Sequence, residues 1–119
     1  MHPDVEIHEA SGIPYAGVHH GPDSWPRLVA AIAETWTDIE AYPEFTIGED
    51  DGDRFASMMR MKATCRATGR RIDTSVFEFW RFHSDGRVIE VRPYYWDMRE
   101  MAEVCGLIPT RDSNRNEGR

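Results

Sequence analysis

Residues 76–97 read VFEFWRFHSDGRVIEVRPYYWD, and this stretch decides the fold. Val76, Glu78, Trp80 and Phe82 alternate with Phe77, Phe79 and Arg81. That is the two-residue period of a strand, which sends successive side chains to opposite faces. The SDGR at 84–87 is a hairpin turn, and a second strand returns over 87–96. Pro93 lies inside that second arm and has no N–H, which argues for an edge position or a bulge. Large apolar side chains stand on both faces of 76–82, so both faces need a cover.

Upstream, residues 54–66 form a long strand with two unlike faces. Phe55, Ser57, Met59, Met61, Ala63 and Cys65 make one, soft and apolar; Arg60, Lys62 and Arg66 make the other basic. Residues 72–83 follow as the first arm of the hairpin, completing a three-strand antiparallel meander. Phe45 and Ile47 suggest a short strand before it, and the acidic turn at 48–53 lacks the ligand spacing of a calcium loop. Earlier still, Trp25, Val29, Ile32 and Trp36 recur as one stripe of an amphipathic helix. The expected helix spans about 24–40, starts at Asp23 or Ser24, and ends before Pro43. The glycines and prolines of 11–21 mark a loop, with Tyr15 packed inward as its anchor. Residues 5–9 alternate as a short strand with Val5, Ile7 and Glu9 on one face and His8 on the other. After the hairpin, Asp97 caps a short helix over 98–105, and Gly106 stops it. The expected class is α+β: a curved antiparallel sheet forming a cone, packed on one long helix and closed by a short C-terminal one. One domain covers 1–109, and 110–119 form a polar, disordered tail.

A net charge of −7 over 119 residues argues against nucleic-acid or anionic-membrane partners, which need a basic patch. No apolar run approaches ~18 residues, so no span is expected. Cys65 and Cys105 have no metal or CxxC spacing and read as two reduced, buried thiols of a cytoplasmic protein. No metal site is expected, since adjacent His19 and His20 rarely ligate one ion together.

The chemistry sits in two acids. Strand parity places Glu78 beside Trp80, and Glu9 beside Val5 and Ile7, on apolar faces. An unpaired carboxylate there costs several kcal/mol, so each must be paired, protonated or functional. Burial raises a carboxyl pKa toward the range of general acid–base work. The structural alternative pairs each acid with a buried arginine, such as Arg60 or Arg92.

The stretches HPDVEIHEASGIPYAGVHHG at 2–21 and ATGRRIDTSVFEFWRFHSDGRVIEVRPYYWD at 67–97, with the Asp-capped terminal helix, resemble the SnoaL-like branch of the nuclear transport factor 2-like (ketosteroid isomerase-like) superfamily. The resemblance implies a cone-shaped sheet and a homodimer through the sheet's outer face, where Phe77 and Phe79 stand. It implies that Glu78 sits where the isomerases have a protonated oxyanion-hole acid, and Glu9 near their catalytic base. Met59, Met61, Ala63, Trp80, Val91, Pro93 and Tyr95 then face the cone, with Trp36 and Tyr15 shaping the cavity. Pro93 takes the place of the cyclases' catalytic aspartate, and the chain starts where the family has mid-chain sequence. A partner subunit or a longer gene product is therefore expected to cover the apolar faces of 5–9 and 59–63.

Two functions follow. One is a cofactor-independent isomerase, cyclase or dehydratase that moves protons on a small hydrophobic, oxygenated substrate, with Glu78 and Glu9 catalytic. The other is a ligand-binding or dimeric assembly module without chemistry, or a degenerate relative. A cavity of ~300 Å³ or more reaching Glu78 favours the first, and a filled cone with a Glu–Arg pair the second.

Overall fold

The computed structural model describes residues 1–110. In chain order the elements are β1 (Glu6–Glu9), β2 (Gly17–His20), α1 (Ser24–Thr35), β3 (Trp36–Gly48), β4 (Arg54–Cys65), β5 (Arg71–Phe82), β6 (Val88–Tyr95) and α2 (Met98–Val104). The six strands make one curved, unclosed sheet in the order β2-β1-β6-β5-β4-β3. The class is α+β, as expected. The part of the expected tail at 111–119 lies outside the described residues.

Several expectations need correction. The helix stops at Thr35, and Trp36 turns directly into extended backbone at φ −122° and ψ 149°. Aromatic and β-branched residues from Trp36 to Ile47 then run as one strand, where a helix end and a short strand were expected. Trp36 is still buried at 1 % exposure, so the periodicity found its burial but not its element. Asp38 at φ +51° and a register shift between Thr37 and Glu40 absorb the change of direction. Pro43 is accommodated because β3 is an edge strand, with a second irregularity between Pro43 and Phe45.

With β3 this long, the meander has four antiparallel strands, β3 to β6. The helix stripe is also rotated. Leu28 is buried and Ala31 and Ile32 pack on the core, whereas Trp25 and Val29 are exposed. Asp23 occupies the N-cap position without a side-chain hydrogen bond.

The loop at 11–21 hides β2, which pairs antiparallel with β1 from Glu6↔His20 to Glu9↔Gly17. Its four residues, GVHH, carry no apolar alternation; pairing with β1 makes them a strand. Finally, β6 is interior, with β5 on one side and β1 parallel on the other. The β1–β6 pairing covers only Glu6↔Glu90 and Ile7↔Val91, so Pro93 sits past its end and is edge-like locally.

Val5, Ile7, Leu28, Trp36, Ala63, Cys65, Ile72, Val91 and Met101 belong to one core between the sheet and the two helices. Asp97 caps α2 by accepting from the Glu100 N–H at 3.0 Å, and Gly106 follows the helix in the left-handed region at φ +76°. Both features were legible in the sequence.

Candidate functional site

The β4–β5 register sets Ser57 opposite Glu78 and Met59 opposite Val76. The β5–β6 register sets Glu78 opposite Pro93 and Val76 opposite Tyr95. These side chains share the inner face, and α1 lies across part of it. Between them is a cavity of about 170 Å³. Both acids line it, with Tyr15, Tyr95, Met59 and Met61 among the walls. The remaining wall comes from Trp25, Leu28, Ile32, Ile39, Ala41 and Val76.

Of the other expected site residues, Trp36 lies behind Tyr15 and donates its indole N–H to the Tyr15 hydroxyl at 2.9 Å. Val91 and Ala63 are buried in the core beneath the cavity. Trp80 stacks on Phe55 at 5.8 Å between ring centroids and opposes the burial-driven rise of the Glu78 pKa. Leu28, Ile32, Ile39 and Ala41 were not anticipated as wall. Their helical or strand periodicity marked burial, but only the packing of α1 and β3 over β4 aims them at one space.

Glu9 is the most perturbed carboxyl of the cavity. Burial pushes its pKa from 4.5 up to about 7; the Tyr95 hydrogen bond opposes the rise and the charge of Glu78 adds to it. Glu78 is also raised, by burial against the opposing hydrogen bond from Trp80. The arginines proposed as partners are engaged elsewhere. Arg60 pairs with Asp73 at 2.7 Å, and Arg92 pairs with Glu90. Parity explains this: even-numbered β4 and β6 residues face away from Glu78.

The site contains two hydrogen-bonded pairs that no local sequence pattern signals. The Tyr95 hydroxyl donates to Glu9 Oε1 at 2.9 Å. Tyr15 and Tyr95 also interact through their hydroxyls. Trp36 can only donate, so the Tyr15 oxygen accepts and its proton is free for Tyr95. Two hydrogen-bonded pairs, Trp36 to Tyr15 and Tyr95 to Glu9, therefore stand next to each other at the cavity, the second ending on a carboxyl. Burial, first among the causes, lifts both phenols, Tyr15 to about 12, so both stay protonated at neutral pH. Residues 15, 36 and 95 are far apart in sequence, and no spacing signals their meeting.

A second opening, of about 280 Å³, lies where β1 and β6 part, lined by His8, Ala10, Arg92, Pro93, Tyr94 and Met98. Glu9 and Tyr95 line it too, but Glu78 does not, so the paired-acid chemistry belongs to the inner cavity. His8 is on this outer side, as its parity required.

One cluster among the described residues could offer three metal-binding atoms: His2, His83 and Asp85, within 4.8 Å of one another. Part of it is already engaged. Asp85 holds Arg87 at 2.7 Å. The Nδ1 atoms of His2 and His83 accept backbone N–H groups at 3.0 and 3.2 Å.

The sheet order, the helix over the inner face and the paired acids define a cone fold with an internal cavity. The match to the SnoaL-like domain spans residues 1–91, and the chain belongs to that family. No curated protein matches it. Among solved structures, it is similar to an NTF2-like protein of unknown function from Burkholderia pseudomallei, at 23 % identity and TM-score 0.76, covering 88 % of this chain and 79 % of that one. A proposed SnoaL-like polyketide cyclase from Jannaschia sp. CCS1 is similar at 19 % identity and TM-score 0.74, over 92 % and 75 % of the two chains. A proposed isomerase from Rhodopseudomonas palustris is similar at 21 % and 0.70, over 87 % and 76 %. At these identities the likeness shows the fold alone.

Proposed function

We propose that this chain is a cofactor-independent, homodimeric, cytoplasmic enzyme that moves a proton beside a carbonyl of a small hydrophobic substrate. Isomerisation, aldol cyclisation and dehydration all use that step. The observation that carries the reading is the pair of carboxyls with raised pKa facing one apolar cavity, neither bridged to an arginine among the described residues. Glu9, near pH 7 in affinity for its proton, is the general base, and Tyr95 orients it. Glu78, whose pKa burial also raises, is the proton donor or oxyanion partner for the carbonyl oxygen as charge develops there. The SnoaL-like cyclase and isomerase assignments of structural neighbours agree with this class.

A class-level assay needs no knowledge of the natural substrate. Small cyclic ketones are incubated with the protein in D₂O, and exchange of the α-protons is followed by NMR. Exchange above background is expected, with Glu9→Gln and Glu78→Gln each lowering it at least ~10²-fold. Turnover of the variants within about threefold of the parent rate removes general acid–base catalysis by these residues.

One observation favours the second reading, a binding module. The cavity, at about 170 Å³, is below the ~300 Å³ common for small-molecule sites. Quenching of Trp25 fluorescence by ketones that show no exchange is the outcome expected of a binder.

A further inference from the structure

The two cysteines meet at a junction between the β4–β5 turn and the end of α2. Cys65 is the last residue of β4, and Cys105 is the C-cap of α2. Three contacts hold these segments together. The Thr68 hydroxyl donates to the Val104 carbonyl at 2.7 Å, and the Arg70 guanidinium donates to the Glu103 carbonyl at 3.4 Å. Gly106 lies so close that a Cβ there would meet Thr68 Cγ2 at 3.0 Å. Cys65 and Cys105 are 2 % and 7 % exposed, share one core cluster, and each perturbs the ionisation of the other.

We propose that Cys65 and Cys105 are a modification site: a thiol pair that a small peroxide converts reversibly into an intramolecular disulfide. The surroundings give the two thiols different roles. Burial opposes ionisation of Cys65, but hydrogen bonds from Thr68, Ala67 and Cys105 outweigh it and lower its pKa. Burial, with the charge and hydrogen bond of Cys65, pushes Cys105 up to about 12. Cys65 is therefore the nucleophile and Cys105 the resolving thiol.

The step balances. The Cys65 thiolate attacks one oxygen of hydrogen peroxide and the O–O bond breaks. The departing hydroxide takes up the proton that Cys65 released and leaves as water. Cys65 is now a sulfenic acid, S–OH. Cys105 sulfur attacks it, the S–O bond breaks, and hydroxide leaves with the Cys105 proton as a second water. Two thiols have lost two electrons and two protons, and one peroxide has become two waters. Both sulfurs are buried, so the small oxidant hydrogen peroxide is set against the bulky oxidised glutathione. The product ties the end of β4 to the end of α2, the helix that begins just after Tyr95.

The test uses the whole chain. Reduced protein is treated with stoichiometric hydrogen peroxide or oxidised glutathione, unfolded in an alkylating reagent, and mapped without reduction. A Cys65–Cys105 linked peptide is expected with peroxide, lost again on dithiothreitol treatment, and formed at least tenfold more slowly with oxidised glutathione. The oxidised protein should melt at least ~5 °C higher, since the bond closes a loop of ~40 residues. In Cys105→Ser, Cys65 should be trapped as a sulfenic acid that reacts with dimedone; Cys65→Ser should leave Cys105 unoxidised. The parent-chain crosslink stands as a readout even if a serine variant does not fold. Full alkylation of both cysteines after peroxide, or crosslinks only between chains, overturns the proposal. Faster oxidation of Cys105 in Cys65→Ser than of Cys65 in Cys105→Ser overturns the assigned roles.

Discussion

At the scale of single residues, Glu9 is where fold and chemistry conflict. Its carboxyl binds a proton more tightly in the folded state, at about 7 against an ordinary 4.5. Below about pH 4.5 the folded and unfolded chains are both protonated there, and the group's stabilising effect is complete. Between about 4.5 and 7 the unfolded chain has lost its proton while the folded one retains it, so stability falls as pH rises. Above 7 the loss levels off, at up to about 3 kcal/mol. Urea unfolding of Glu9→Gln at pH 5 and pH 8 is expected to differ less than that of the parent chain by this amount. Removing the charge that raises it, through Glu78→Gln, should lower the Glu9 pKa while leaving it above 4.5, because burial is the larger cause. Tyr95→Phe acts oppositely. It deletes the donor at 2.9 Å, so the Glu9 pKa should rise further and stability fall by about 1 kcal/mol, read by carboxyl NMR titration and denaturation. Both acids were legible in the sequence, because an acid on an apolar strand face stands out by parity. The tyrosines' role was not, because a hydrogen bond between residues 9 and 95 leaves no local pattern.

At the scale of elements, the junction of α1 and β3 is the informative one. Amphipathic periodicity carried the helix reading through Trp36 and Ile39, because a buried tryptophan at i+4 fits a helix and a strand start equally. Tertiary pairing decided it: Trp36↔Cys65 and Thr37↔Thr64 begin the β3–β4 ladder at the first residue after the helix. The turn into that ladder depends on Asp38 in the left-handed region, which aspartate tolerates and β-branched residues do not. Asp38→Val is expected to destabilise the chain by about 1–3 kcal/mol, and Asp38→Gly to be neutral or mildly stabilising, by thermal denaturation. The hairpin of β5 and β6 was read nearly to the residue, since alternation, turn and returning strand are all local. Short β2 was missed, since only its pairing with β1 makes it a strand.

At the scale of the whole molecule, the described chain is 58 Å long and 27 Å by 23 Å across. The extension comes from the β3–β4 ladder. Ile39, Tyr42, Phe45 and Ile47 along β3 are 45–54 % exposed. On the outer face, Phe77 pairs with Tyr94, which is 57 % exposed, and with Met58; Phe79 stands one step along. The proposed homodimer would cover this outer strip. Sedimentation equilibrium at micromolar concentration is expected to give twice the chain mass, and Phe77→Asp to weaken association at least tenfold. A well-folded monomer for the parent chain removes the dimer. No helix among the described residues is long and apolar enough to cross a membrane.

The sequence alone determined the α+β class, the central hairpin, the capped terminal helix and the face on which each acid stands. Those follow from local periodicity, turn chemistry and strand parity, which act over a few residues. Only the tertiary structure decided that Glu9 and Glu78 share one cavity, that Tyr95 binds Glu9 while Trp36 binds Tyr15, and that Cys65 and Cys105 join one core. Each depends on strand order and on the packing of helices against the sheet. Such contacts join residues far apart in the chain, and the free energy that selects them is a property of the packed whole.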